Sequence, residues 1–287
     1  MNIHVDPKVD FHWDDSHVLP PVIYPDLEFL FQRMTEKTLD VAYRSGARFL
    51  DIGCGRAVDA AALLRKGMTG VGVELSDRML ECAQAHLTDA GLRMRLVRAF
   101  GETLPFSDNS FDVVICKGAL DHFFDPAHAV REMARVARPD GWVVISIANF
   151  ESLGFRLGRA LDRFLARFRP KHDAAPRLWD LPHDHTIRTS FPLLCQLVKP
   201  YVEIERVWGV SLFFGFPYWN IFLKRLPRPL AFGILRVIDR FASIMPFFAD
   251  VLVLRGRPRR PLPARIPSVR KVPGFSPETG PAAAPGV

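Results

Sequence analysis

The chain has little cysteine, no paired-cysteine motif and no long uninterrupted apolar run. Its four cysteines, Cys54, Cys82, Cys116 and Cys195, form no C-x-x-C pair. That excludes a zinc ribbon or a disulfide framework and predicts reduced thiols. No stretch suits a membrane span. Leu212–Leu223 is too short, and Leu230–Leu254 is broken by Arg236, Asp239, Arg240 and Asp250. The opening, MNIHVDPKVDFHWDD, lacks a basic region leading into an apolar run, so no secretory leader is expected. The expected compartment is the cytoplasm, with peripheral residence at a membrane as its variant. There is no internal repeat. A globally basic surface is missing too, despite a net charge of +7: from Arg255 onward seven bases face one acid, so the preceding residues are nearly neutral. The same stretch holds eight prolines and ends in GPAAAPGV. Composition therefore predicts a domain over residues 1–255 and a disordered, basic, proline-rich tail over 256–287.

What is present begins at Phe49–Val58, FLDIGCGRAV. An apolar run ends in Asp51 and opens into Gly53-Cys54-Gly55, with a helix-forming run after it. Such a turn brings backbone groups against a ligand because no Cβ intervenes. A second apolar run ends in Glu74, 19 residues after Gly55. A carboxylate at that place is suited to accept hydrogen bonds from a ribose diol. The two features together predict a nucleoside-containing cofactor. A nicotinamide dinucleotide fits poorly: the third position after Gly55 is Val58, which breaks G-x-G-x-x-G/A, and Asp51 would face a pyrophosphate with like charge.

The arrangement resembles the first motif of the class I S-adenosylmethionine-dependent methyltransferases, D-x-G-x-G-x-G, with Ala57 in place of the last glycine. ETLPFSDNSFDVV (102–114), GALDHFFDP (118–126) and REMARVARPDGWVVIS (131–146) are similar, in order and spacing, to the small-molecule branch of that family. The resemblance covers about residues 47–147. It implies an α/β, Rossmann-like, doubly wound seven-stranded sheet, mostly parallel, with an antiparallel pair at one edge. It also implies S-adenosyl-L-methionine as cofactor, with Gly53, Gly55 and Glu74 in contact with it, Asp51 near the methionine amino group, and Leu75 either flanking the adenine or in the core. Gly101 and the Glu102 side chain would read the adenine, because Phe100 stands where a carboxylate often does. Lys117 would contribute its backbone, its side chain reaching for the surface.

Pattern places strands at Arg48–Ile52, Thr69–Glu74, Arg93–Arg98, Phe111–Cys116, Trp142–Ile147, Val202–Val210 and Asp250–Leu254. A helix is expected within 22–46, and others after the caps Ser76 and Asp125-Pro126. Strands alternating with helices imply parallel pairing, with the ligand outside the strands' carboxyl ends. Two later segments, near 150–190 and 211–248, are expected to form lids. The first carries an apolar stripe crowded by Arg156, Arg159 and Arg163, and a loop with His183-Asp184-His185; the second is rich in aromatics, among them Phe213, Tyr218 and Trp219.

His122 and His185 are the candidate catalytic residues, as groups that could position or deprotonate an acceptor. The H-D-H spacing offers too few ligands to predict a metal. The expected partner is a small or medium-sized, lipophilic acceptor molecule, with peripheral membrane contact as a further expectation. Nucleic acid is not expected: KGALDHFF replaces the acid or asparagine with Pro-Pro-aromatic typical of base-modifying relatives. The rival reading is a non-catalytic cofactor-binding or membrane-docking protein on the same fold.

Overall fold

The computed structural model describes residues 23–167, 177–181 and 185–263. Chain order is α1 (Pro25–Ala42), β1 (Arg48–Ile52), α2 (Val58–Arg65), β2 (Thr69–Glu74), α3 (Asp77–Asp89), β3 (Arg95–Arg98) and β4 (Phe111–Lys117). A 3-10 turn at Leu120–His122 leads to α4 (Pro126–Val136), β5 (Ala137–Ala148), α5 (Leu153–Leu165), α6 (Phe191–Val198) and β6 (Val202–Val210). Then come α7 (Trp219–Lys224), α8 (Arg228–Ile244), a second 3-10 turn at Pro246–Phe248 and β7 (Val251–Pro258).

Local chemistry sets the helix starts. Ser76 accepts the Met79 N–H at 3.2 Å, and Asp125 accepts the His128 N–H at 3.1 Å ahead of Pro126. Ser152 and Ser190 cap α5 and α6 in the same way.

The seven strands form one sheet in the order β3-β2-β1-β4-β5-β7-β6. Only β7 runs antiparallel, against both β5 and β6. The order reverses between β1 and β4, and a crevice opens at the carboxyl ends of strands at such a switch. Both faces are covered. On one side Leu50, Val114, Ile145 and Leu252 meet Val130, Met133 and Leu197 of α4 and α6. On the other Phe49, Val113 and Val253 meet Leu30 and Met34 of α1 and Leu63 of α2. That explains why β4 and β5 read as continuous apolar runs.

Composition placed the start of the tail at residue 256, whereas β7 continues to Pro258. Its register on β6 pairs Val202 with Pro258, and backbone pairing is indifferent to the bases that made this stretch look like tail. Beyond it, Arg260 donates to the carbonyls of Ala134 and Ala137 at 2.9 and 2.8 Å and to Asn109 Oδ1 at 2.9 Å. A guanidinium thus satisfies the Ala134 carbonyl in the last turn of α4 and that of Ala137 just after it. Residues 264–287 lie outside the described residues. Among the described residues no helix is long and apolar enough to cross a membrane.

Arg260→Ala should lower stability by roughly 1–3 kcal/mol, since a charged donor leaves three acceptors at a helix end. Urea unfolding of the full chain measures it; an unchanged midpoint would show that water replaces the guanidinium without cost.

Candidate active site

The cleft sits where the switch point predicts. Ile52 and Gly53 from β1, Val73, Glu74 and Leu75 from the end of β2, Ala99–Glu102 after β3, and His122–Phe124 after β4 line it. It holds about 370 Å³ of space, its open mouth included.

The glycine turn is built for close approach. Gly53 and Gly55 have φ of +67° and +51°. A Cβ on Gly53 would stand 2.5 Å from that of Ala119. Ala57, which replaces the motif's last glycine, keeps the left-handed conformation at φ 56° and ψ 29°. The turn's geometry therefore survives the substitution, at a steric cost typical of an L-residue there.

Glu74 ties this turn to the next strand. Its Oε2 accepts the Gly55 N–H at 3.0 Å, and Oε1 accepts those of Leu75 and Ser76 at 2.8 and 3.0 Å. The carboxylate is held in place before any ligand arrives. A carboxylate has about four acceptor positions, so it keeps capacity for a hydroxyl. Beyond it the walls are apolar: Leu75, Ala99, Phe100, Phe123 and Phe124, with the Phe100 and Phe124 rings 6.3 Å apart. Phe123 and Phe124 were not singled out from sequence; the paired aromatics directly after Asp121-His122 were the available signal.

Gly101 faces the Phe123 ring, which a Cβ would meet at 2.8 Å. Glu102 plays a larger structural part than expected, since its Oε1 accepts the Asp125 N–H at 3.2 Å and so pins the loop that carries His122. Burial pushes its carboxyl pKa up, against hydrogen bonds from Asp125 and its own backbone.

Lys117 departs from expectation. Its side chain does not run to the surface: Nζ lies 2.6 Å from Asp59 Oδ2 and donates to Thr35 Oγ1 at 2.7 Å. The reason is a buried acid nearby. Asp51 is 4% exposed. Its pKa is raised to about 7 by burial first, then by the Asp59 charge, with Lys117 opposing and Glu74 adding to the rise. A cation held there limits the accumulation of negative charge.

The candidate histidines come together. His185 Nδ1 lies 3.1 Å from Asp121 Oδ2, and His122 Nε2 lies 3.9 Å from Oδ1. The two rings meet edge to face at 4.5 Å. The 3.1 Å contact sets His185 Nδ1 beside the carboxylate and becomes an ion pair when the ring is protonated. Asp121 is buried, which disfavours its charge, but His185 and His122 outweigh burial and hold its carboxyl below the usual range. Thr186 anchors the segment by donating from N and Oγ1 to the Asp121 carbonyl at 2.7 and 3.0 Å. One ligand-type atom from each of Asp121, His122 and His185 lies within 4.8 Å of the others. Of the H-D-H motif, His183 and Asp184 lie outside the described residues.

The aromatic segment 211–248 contributes none of the cleft's lining residues. Trp219 packs on Phe213 and Phe222 and against the cluster of Phe29, Leu223 and Phe232, while Tyr218 is 67% exposed. Neither is a cleft wall. The link to the cleft is a relay of rings: His185 to Phe150 at 5.5 Å, Phe150 to Phe155 at 6.0 Å, Phe155 to Phe214 at 6.1 Å. Nor do the α5 arginines simply face water. Arg159 donates to Glu151 at 2.6 Å, with Arg188 and Arg156 at 3.2 and 3.7 Å from the same carboxylate.

The chain shares its fold and part of its sequence with known proteins. A family model described as a methyltransferase domain matches residues 50–145. The chain is 40% identical over 117 residues to the ubiquinone biosynthesis O-methyltransferase of Paracidovorax citrulli, covering 39% of this chain and 48% of that one. It is 36% identical over 162 residues to an uncharacterized methyltransferase of Mycobacterium sp. (strain KMS), covering 52% and 61%. The chain thus spans about half the length of the curated relatives it matches. In structure it is similar to the YcgJ protein of Bacillus subtilis, with a TM-score of 0.52 and 20% identity, over 80% of this chain and 99% of that one. At that identity the likeness concerns the fold.

The site makes two measurable demands. Glu74→Ala should weaken S-adenosylmethionine binding about tenfold to over a hundredfold, the worth of charge-assisted hydrogen bonds at ~1.5–3 kcal/mol. Because the same carboxylate fixes three N–H groups, Glu74→Gln and a melting curve accompany the calorimetry. Unchanged affinity in a folded Glu74→Ala protein would remove the ribose assignment. Separately, the contact expected between Asp51 and a cationic ammonium requires Asp51, with its pKa near 7, to lose its proton first. Affinity should therefore rise about tenfold between pH ~6 and ~8, and Asp51→Asn should flatten that rise.

Proposed function

We infer that this chain, a member of the class I S-adenosylmethionine-dependent methyltransferase family, transfers a methyl group to a small or medium-sized lipophilic molecule bearing a hydroxyl. One observation carries the reading: the Asp121–His185–His122 cluster adjoins a cleft whose turn, acid and apolar slot suit an adenosine-containing cofactor. The residues fit that cofactor. Glu74 would hold the ribose, Leu75, Phe100 and Phe124 the adenine, and Asp51 the methionine ammonium, with Gly53 and Gly55 letting the backbone close in. When bound, the cofactor supplies a methyl group activated by its positive sulfur, and a catalytic base then matters only for the acceptor's proton.

This chain's own residues would handle that proton. With Nδ1 of His185 directed at Asp121, Nε2 is the nitrogen to take it from an acceptor hydroxyl. Asp121 holds the ring and offsets the charge that forms. His122 lines the cleft and borders the same space. An oxygen acceptor accords with the ubiquinone biosynthesis O-methyltransferases among the relatives. The lipophilic character is supported by the ring relay from His185 through Phe150 to Phe155. Glu102, bound to the Asp125 N–H, would keep the histidine loop in place while the acceptor comes and goes.

His185→Ala should keep cofactor affinity and slow transfer to a phenolic acceptor about 10²–10⁴-fold, the usual worth of a positioned base. His122→Ala should also spare cofactor binding while reducing transfer. Turnover measured with labelled cofactor decides it. Full activity in both variants would remove the base and leave the methyltransferase assignment standing; cofactor binding with no product across phenolic, enolic and amine acceptors would favour the non-catalytic reading. Activity that EDTA abolishes would instead make the cluster a metal site.

A further inference from the structure

We propose that the outer face of α7 and α8 is a docking surface for an anionic lipid bilayer. Helix α8 is apolar on two sides. Its inner side, Ala231, Phe232, Leu235 and Ala242, is buried. Phe232 and Leu235 pack with Phe29 of α1, and Ala242 packs with Leu212 and Ala249. A surface helix normally turns charge outward from such a seam. Here Leu230, Ile234, Val237, Phe241 and Ile244 follow one another in steps of four and three, so they form a second stripe. Leu230 and Val237 are 52% exposed, Phe241 56% and Ile244 72%. Ile221, Phe222 and Met245 extend the exposed apolar area. A contiguous patch of this kind marks an interaction surface.

The charges around it select the occupant. Lys224, Arg225, Arg228, Arg236 and Arg240 are all exposed on the same segment. Its one acid between residues 219 and 249, Asp239, is buried, where Arg33 reaches it at 2.9 Å and the Ser211 N–H at 3.0 Å. The neighbouring α1 supplies Glu28, 2.6 Å from Arg228, and Glu36, 2.7 Å from Arg33, which leaves cations in excess. Apolar side chains rimmed by lysine and arginine are the pattern of a helix lying in the headgroup layer, where burial and attraction to anionic lipid add. A second copy of this chain suits the face less well. Positions flanking the stripe, where paired helices carry opposite charges, hold Gly233 and Arg240 on one side and inward-turned Ala231 and Ile238 on the other. Two such faces would bring like charges together.

The proposal deepens the lipophilic-acceptor reading and rests on it for its purpose: a bilayer is where such an acceptor dissolves. The surface argument stands apart from the cleft, and so does its test. Full-length protein is sedimented with vesicles of phosphatidylcholine alone and of roughly three parts phosphatidylcholine to one part phosphatidylglycerol, in low and high salt. Binding is expected to the anionic vesicles only and to weaken with salt. Phe241→Ser with Ile244→Ser, and separately Arg236→Glu with Arg240→Glu, should each lower vesicle affinity about tenfold or more while melting temperature and cofactor affinity stay as in the parent chain. Absence of vesicle binding, or binding that survives both variants and so belongs to another basic stretch, overturns the proposal. So does a stable dimer of the parent chain that both variants dissociate, or a large fall in melting temperature in both, which would show that the face is covered by protein. Cofactor affinity, read on the same samples, reports on the methyltransferase assignment independently.

Discussion

The structure turns on one carboxylate bound by backbone. Glu74 receives N–H groups from Gly55, at the mouth of β1, and from Leu75 and Ser76, at the head of α3. Two strand ends that pair side by side, Ile52 with Val73, are thereby locked at the point where the chain leaves the sheet. The second glycine turns back because φ is positive there, and the N–H it exposes needs an acceptor. An acid supplies it and remains able to accept more. The same group thus closes the turn and keeps acceptor capacity beside the cleft, where our reading sets the ribose.

Charge is managed around that point by distance and burial. Asp51, Asp59 and Glu74 approach one another at the carboxyl edge of the sheet, and Lys117 is drawn inward to Asp59 and Thr35. The surplus is negative, and Asp51 responds by holding its proton to about neutral pH. A site of this sign rejects a pyrophosphate and welcomes a cationic ligand. Around the histidine cluster the sign logic inverts. Asp121 stays ionised despite burial because two imidazoles face it, and the segment carrying His185 is bound to it through Thr186.

The additions to the sheet follow different rules. Segment 185–189 is attached to the cleft: Thr186 to the carbonyl of Asp121, and the carbonyl of Thr189 to the Phe150 N–H. Segment 211–248 is attached to α1 and to the edge strand β6 through Phe232, Leu223 and Asp239, and meets Phe155 of α5 through Phe214. Its aromatics therefore serve a satellite core and an outer face. Aromatic content announces a need for burial or contact without saying against what.

Much was legible from the chain alone. Pattern located the strands: the inner ones, such as β4, because burial on both faces leaves apolar runs, and the edge strands β3 and β6 from short or interrupted apolar patterns. The glycine turn, Glu74, Asp51 and the capped helix starts were legible because each demand is local: a positive φ, a strand-end acid, an unsatisfied N–H. Tertiary structure alone decided what depends on distant partners. It brought His185 to Asp121 across more than 60 residues of chain. It recruited Phe123 and Phe124 as walls, turned Lys117 inward to a helix partner, extended β7 beyond the compositional boundary because strand pairing ignores side-chain charge, and left the second stripe of α8 outside. Which of two apolar faces a helix buries is fixed by its neighbours, and a sequence pattern records the faces without the neighbours.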